Sequence, residues 1–246
     1  MALREEFETS GQWLFRWRGY LPLFAIALTL FGLWQARDLP VISMANQIWE
    51  VVGIVSAIAG LLIRAHVVGH APHNTSGRNA RAQRADQLNS TGMYSVVRHP
   101  LYLGNFLVFI GAIVFAHLPW ITAICVLAFW LYYERIMFAE EAYLRQKFGE
   151  SYEQWALHTP AFIPNIRNWQ PASLSFSLRN VLRREYNNVF GVLLVMALFK
   201  SDESFFTTGE FSPGFAWTLT LAVGGCCWLL LRTLKRNTEW LRVEGR

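Results

Sequence analysis

The feature that most constrains this chain is a set of six apolar runs, at about residues 20–35, 48–63, 101–115, 120–133, 189–199 and 215–231. A helix needs ~20 apolar residues to cross ~30 Å of hydrocarbon, and most of the runs approach that length once flanking residues are counted. Lipid offers no partner for backbone N–H and C=O groups, so such runs must become helices. With 53% of 246 residues apolar and 16% charged, there is too little charge to cover a soluble particle of this size. The expected fold is an all-α integral membrane protein of about six transmembrane helices. The run at 189–199 is the shortest, at eleven residues, a length that also suits an interfacial or re-entrant segment.

Basic residues choose the orientation. Of 22 Lys and Arg, all but Arg37 and Lys200 fall in 1–19, 64–99, 134–187 or 232–246, which six crossings place on one side. The positive-inside bias makes that side, and both termini, cytoplasmic. The net charge of +5 then reflects topology rather than nucleic-acid binding. Cys125, Cys226 and Cys227 lie in apolar runs, and vicinal cysteines on one helix point apart, so no disulfide or metal framework is expected. The start, with Glu5, Glu6 and Glu8, lacks the pattern of a cleaved signal peptide.

Between the runs the chain is polar and aromatic. His117-Leu118-Pro119 separates the third and fourth runs, which should pack as an antiparallel hairpin. Residues 139–148 read as an exposed helix. Residues 173–185 read as an amphipathic helix at the interface, carrying Arg179, Arg183 and Arg184, and 201–213 as an acidic loop. This divides the chain into a two-helix N-terminal part (1–66), a core (67–172) and a C-terminal addition (173–246).

Chemistry concentrates in the core. Pro100 suits the first turn of the third run, with His99 at the cap. The free amides of that turn and the charge of Arg98 favour an anion. Tyr94, Tyr102 and Asn105 lie nearby, and Gly104 would let a ligand approach the backbone. At the far end of the hairpin, Glu140 and Glu141 repel each other unless a cation intervenes. In isolation the first group is an ordinary helix entry, and the second a solvated face with Glu141 and Arg145 as an i,i+4 pair. Brought together by the hairpin, donors and carboxylates could grip one zwitterion.

The run Gly92-x-Tyr94, Arg98-His99-Pro100-x-Tyr102-x-Gly104-Asn105, Glu140-Glu141, Phe148-Gly149-x-x-Tyr152 and Pro160-x-Phe162-Ile163-Pro164 resembles the isoprenylcysteine carboxyl methyltransferase family and the related membrane phospholipid methyltransferases. The resemblance covers roughly residues 89–164. It implies S-adenosylmethionine bound by Tyr94, His99, Pro100, Tyr102, Gly104, Glu140 and Glu141, with Arg98 and Asn105 the candidates nearest the chemistry. No catalytic base is assigned, because a carboxylate or phosphate acceptor is already ionised and positioning suffices. Enzymes that methylate prenylated cysteine usually carry an Arg just after the closing-motif Pro, where this chain has Ala161. That departure favours a lipid phosphate or headgroup over an isoprenylcysteine-type carboxylate. Arg78, Arg81 and Arg84 would form a basic ridge for such a head, since the guanidinium fork fits phosphate oxygens. The bland alternative is a positive-inside loop.

Three other readings compete. A membrane sterol reductase using NADPH has a related C-terminal pattern. A transporter or scaffold would tolerate loss of His99 and Glu140, but transport paths usually need ionisable residues at membrane depth, which are scarce here. His66, His70 and His73 at i, i+4, i+7 suggest a metal, but Pro72 should end that helix and no carboxylate is near, so no metal site is expected.

Overall fold

The computed structural model describes residues 2–37, 43–72 and 85–245. Among them all regular structure is helical, apart from one isolated bridge between Gly92 and Gln170. The helices are α1 (Leu3–Trp17), α2 (Leu21–Ala36), α3 (Ser43–His70), α4 (Met93–Val96), α5 (Pro100–Phe115), α6 (Pro119–Phe148), α7 (Glu150–His158), α8 (Leu178–Thr208) and α9 (Phe215–Asn237), with a single 3-10 turn at Ile166–Asn168. Proline opens α5 and α6 and stands second in α2, positions where its missing N–H costs nothing.

Every apolar run is a helix or lies within one. By length and apolarity three helices, α3, α6 and α9, are able to cross a membrane on their own. The pair α1 and α2, bent by 73° at the intervening break, makes a fourth if counted as one span, and α5 is a shorter apolar helix. The protein is an all-α integral membrane protein.

The crossing of α3 over α5 holds the bundle together, and glycine makes it possible. A Cβ on Gly53 would stand 2.6 Å from the carbonyl oxygen of Gly111, and one on Gly60 would stand 2.6 Å from that of Gly104. The reciprocal clashes at Gly104 and Gly111 are as severe, against Arg64 Cγ and Gly53 O at 2.6 Å each. Helices in lipid gain little from burying apolar surface, so close backbone approach through small residues supplies much of their attraction. The Ser56 hydroxyl adds a bond of 2.9 Å to the Leu107 carbonyl across the same seam. Ala25, Leu33, Ala57, Ala112, Phe115, Ile121, Cys125 and Phe199 complete a core drawn from α2, α3, α5, α6 and α8.

Several boundaries differ from the sequence expectation. The 139–148 segment is the continuation of α6, a single 30-residue helix that ends where Gly149 takes φ +52°. The amphipathic segment and the short run at 189–199 are likewise one helix, α8, 31 residues long. Its start is Leu178 rather than residue 173, capped by the Ser177 hydroxyl accepting from the Asn180 N–H at 3.3 Å. No proline lies within it, and its polar first half is held against α3 by an ion pair, so nothing breaks it at the change in polarity. It runs on to Thr208, which puts Asp202 and Glu203 on the helix rather than in an acidic loop.

The end of the bundle bearing the α5–α6 turn has an ion-pair cluster. The Lys200 ammonium on α8 bonds Glu50 on α3 and, at 3.0 Å, Glu203, whose other oxygen lies 3.5 Å from His117 Nε2 in the turn. These carboxylates and the imidazole have the spacing of metal ligands, but the lysine ammonium already supplies the cation. Lys200→Met should therefore lower the melting temperature in detergent by the equivalent of about 2 kcal/mol. That is less than the ~3–5 kcal/mol for breaking a fully buried pair, because Lys200, Glu50 and Glu203 keep 20–29% exposure. An unchanged melting curve would show that the cluster contributes nothing.

Candidate active site

The site is assembled at the other end of the bundle, where α5 begins and the apolar part of α6 gives way to polar residues. Two loops build its floor. The Arg98 and His99 amides donate to the Pro160 and Ala161 carbonyls at 2.8 and 3.2 Å, Asn165 N–H to Val96 O at 2.9 Å, and Gly92 N–H to Gln170 O at 3.0 Å. The Trp155 indole donates to Tyr94 O at 3.0 Å. The opening motif and the closing motif are thus laced together through their backbones. Of the amides at the expected anion site, those of Arg98 and His99 are spent on the closing loop, Pro100 has none, and Tyr102 N–H bonds His99 O at 3.1 Å.

The two adjacent glutamates diverge. Glu141 turns away from the cavity: its Oε1 lies 2.9 Å from His99 Nε2 and 3.0 Å from Arg98 Nε, with the Tyr152 hydroxyl beside it. Arg98 also donates to Ala156 O at 3.1 Å. Arg98 is therefore the counter-ion of Glu141, and Arg145 meets Glu153 at 3.6 Å instead of Glu141. Glu140 faces the cavity, with Oε2 3.7 Å from His99 Nδ1 and the Tyr102 hydroxyl bonded to it. The buried His99 ring, stacked on Tyr102 at 5.5 Å, stands between the two carboxylates. Burial, reinforced by Glu140, pushes the Tyr94 phenol well above the usual tyrosine range, and burial with Glu141 does the same to Tyr152. Both phenols stay neutral at physiological pH.

The cavity has a volume of about 720 Å³, within the ~300–1,000 Å³ typical of small-ligand sites. Tyr94, Arg98, His99, Pro100, Tyr102, Asn105 and Glu140 all line it. Gly104 stands behind the wall at the α3 crossing, where its missing side chain admits Arg64 rather than a ligand. Arg78, Arg81, Arg84 and His73 lie outside the described residues. His66 and His70 are one turn apart with ring centroids 4.4 Å apart, and His70 Nδ1 bonds His66 O at 2.8 Å.

Sequence reasoning missed an ion pair in the cavity wall. Arg64 meets Glu185 in a two-bond fork, Nε to Oε2 at 2.8 Å and the terminal NH2 nitrogen to Oε1 at 2.9 Å; its other terminal nitrogen bonds Asn105, and Asn188 donates to Glu185 at 2.8 Å. Arg18, at the α1–α2 elbow, and Arg184 also line the cavity. The available signal was that Arg64 closes an apolar run and so comes at the membrane edge.

With this geometry in view, the comparisons are specific. The phospholipid methyltransferase family profile matches residues 48–151, from within α3 through α6 to the start of α7. This segment is similar to the phospholipid methyltransferase family. It contains Arg64, His99, Asn105, Glu140 and Glu141, so the polar cavity groups on α3, α5 and α6 fall within the matched range. Among similar proteins, the nickel-cobalt-cadmium resistance protein NccN of Alcaligenes xylosoxydans xylosoxydans is 36% identical over 84 residues, 34% of this chain and 39% of its own length. The protein-S-isoprenylcysteine O-methyltransferase of Schizosaccharomyces pombe is 33% identical over 108 residues, 44% of this chain and 46% of its own. A probable protein-S-isoprenylcysteine O-methyltransferase of Oryza sativa subsp. indica is 29% identical over 151 residues, 58% of this chain and 76% of its own. The chain thus spans less than half the length of the first two of these relatives. No solved structure matches it.

Proposed function

We propose that the protein is an S-adenosylmethionine-dependent methyltransferase of the membrane, acting on a lipid or lipid-linked acid at its cytoplasmic face. The observation that carries this reading is the divergence of the glutamate pair: Glu141 is ion-paired with Arg98 and within hydrogen-bond reach of His99, leaving Glu140 as a cavity-facing carboxylate. The donor set fits the cofactor. Glu140 pairs with its ammonium, Trp155 and Tyr143 offer aromatic walls, and Arg18 and Arg184 supply positive potential for its carboxylate and for an acidic acceptor.

Bound there, S-adenosylmethionine supplies a methyl group on a sulfonium, open to in-line displacement. The protein's part is positional. His99, held from behind by Glu141, keeps Glu140 and Tyr102 in place, and neutral Tyr94 closes the side of the cavity. An ionised phosphate or carboxylate acceptor needs no base, and none of the cavity residues is assigned as one. The wet, basic rim accords with the distribution of Lys and Arg that makes this end cytoplasmic.

The test is ligand-dependent melting of purified protein. S-adenosylhomocysteine should raise the melting temperature and NADPH should not. The reverse result would favour the reductase reading. Incubating native membranes with methyl-labelled cofactor, then separating lipids from proteins, identifies the acceptor class.

A further inference from the structure

The family-matched segment builds only part of the cavity. Its cofactor end is made by Tyr94, His99, Tyr102 and Glu140, all within residues 48–151. The other end is apolar, and much of its wall lies outside the match. Pro22 and Ile26 of α2 and Gly191, Val192 and Val195 of α8 face it, with Phe109 of α5 between them. The Arg64–Glu185 fork divides the two ends and joins family-matched α3 to unmatched α8.

Gly191 is the informative residue. It sits in the interior of a 31-residue helix and lines the cavity, yet a Cβ added there would meet nothing within 4 Å. Glycine in a helix interior costs ~1 kcal/mol relative to alanine. At Gly53, Gly60, Gly104 and Gly111 that cost is offset by close helix packing. At Gly191 there is no such partner; what the missing side chain provides is open space in the cavity wall.

We propose that α8 forms the chain-binding wall of the acceptor subsite: the acceptor's hydrocarbon chain lies in the apolar slot between α2, α5 and α8, passing over Gly191, with its head at the Arg64–Glu185 fork. This rests on the methyltransferase reading and adds that residues outside the family segment select the chain. The C-terminal helices are then part of the substrate site rather than an appendage.

The experiment uses the full chain in phosphatidylcholine vesicles containing a photoactivatable long-chain fatty acid, with labelled positions mapped by mass spectrometry. Labelling is expected at 188–196 and 105–113, competed by unlabelled fatty acid. Gly191→Trp should lower it about tenfold or more, while S-adenosylhomocysteine still raises that variant's melting temperature. Labelling in the slot that resists competition, or that Gly191→Trp leaves unchanged, overturns the proposal; the competition arm uses wild type and does not depend on the variant's folding. Failure of S-adenosylhomocysteine to stabilise the wild type would instead remove the methyltransferase reading, while competed labelling would keep the slot as a chain site.

Discussion

Glu140→Gln is expected to weaken S-adenosylhomocysteine binding about 100-fold and to leave the melting temperature of the ligand-free protein nearly unchanged. Losing one member of a desolvated charge pair costs ~2–5 kcal/mol. Glu140 keeps 32% exposure, so the lower half of that range applies. Among the described residues Glu140 meets the Tyr102 hydroxyl and lies 3.7 Å from His99, and an amide oxygen can retain both contacts. Its neighbour should behave in the opposite way. Glu141→Gln removes the anion from Arg98 and His99, at 3.0 and 2.9 Å, and so should lower the melting temperature first and binding second. Calorimetric titration and thermal melting of both variants separate the two roles. Wild-type affinity in Glu140→Gln would sink the assignment of that carboxylate to the cofactor.

The second large effect is structural. Gly53→Leu should destabilise the bundle by about 3 kcal/mol or more, the upper part of the range for overpacking. Even alanine places its Cβ 2.6 Å from Gly111 O and 2.8 Å from Phe115 N. Backbone cannot yield as a flexible side chain does, so α3 and α5 must separate. Because Arg64 and Asn105 bond across this seam, the cavity should lose its shape with the packing. Gly225→Ala is the matched control: its Cβ would meet only the Phe190 ring at 3.7 Å, ordinary contact, and stability should hold or rise slightly. Detergent melting curves of the two variants, compared with wild type, decide it. Equal stability in all three would mean that the crossing does not depend on glycine.

How much of this was legible in the sequence follows from what each signal encodes. The helical character of the six apolar runs was readable because lipid leaves the backbone no other choice, but their number did not give the spans: three helices, or four with the bent α1–α2 pair, are long and apolar enough to cross. Residues 89–164 pointed to one end of the cavity because their motifs are contiguous or lie at the two ends of one hairpin. Helix continuity was not legible: polarity changes at residue 134 and again at 188, and a change of solvent looks like a change of element when only composition is read. The division of labour between Glu140 and Glu141 was hidden for a different reason. Adjacent helical positions point about 100° apart, so which one meets Arg98 depends on the rotation of α6. Arg64 and Glu185 are 121 positions apart, and no local pattern links them. The glycines of α3 and α5 were visible as residues, but Gly104 was read as an opening for a ligand, and only the crossing shows that it admits Arg64.

The unbroken length of α6 has one more consequence. Glu140 stands 21 residues beyond Pro119 on one rod, about 32 Å along its axis at ~1.5 Å per residue, close to the ~30 Å depth of bilayer hydrocarbon. A rod cannot shorten, so a thicker or thinner bilayer must be met by tilt, at a fraction of a kcal/mol per Å of mismatch. Tilting α6 carries the carboxylate up or down against the headgroup plane. Acyl-chain length in the host membrane therefore becomes a dial on how well a lipid's reactive head and the cofactor pocket share one level.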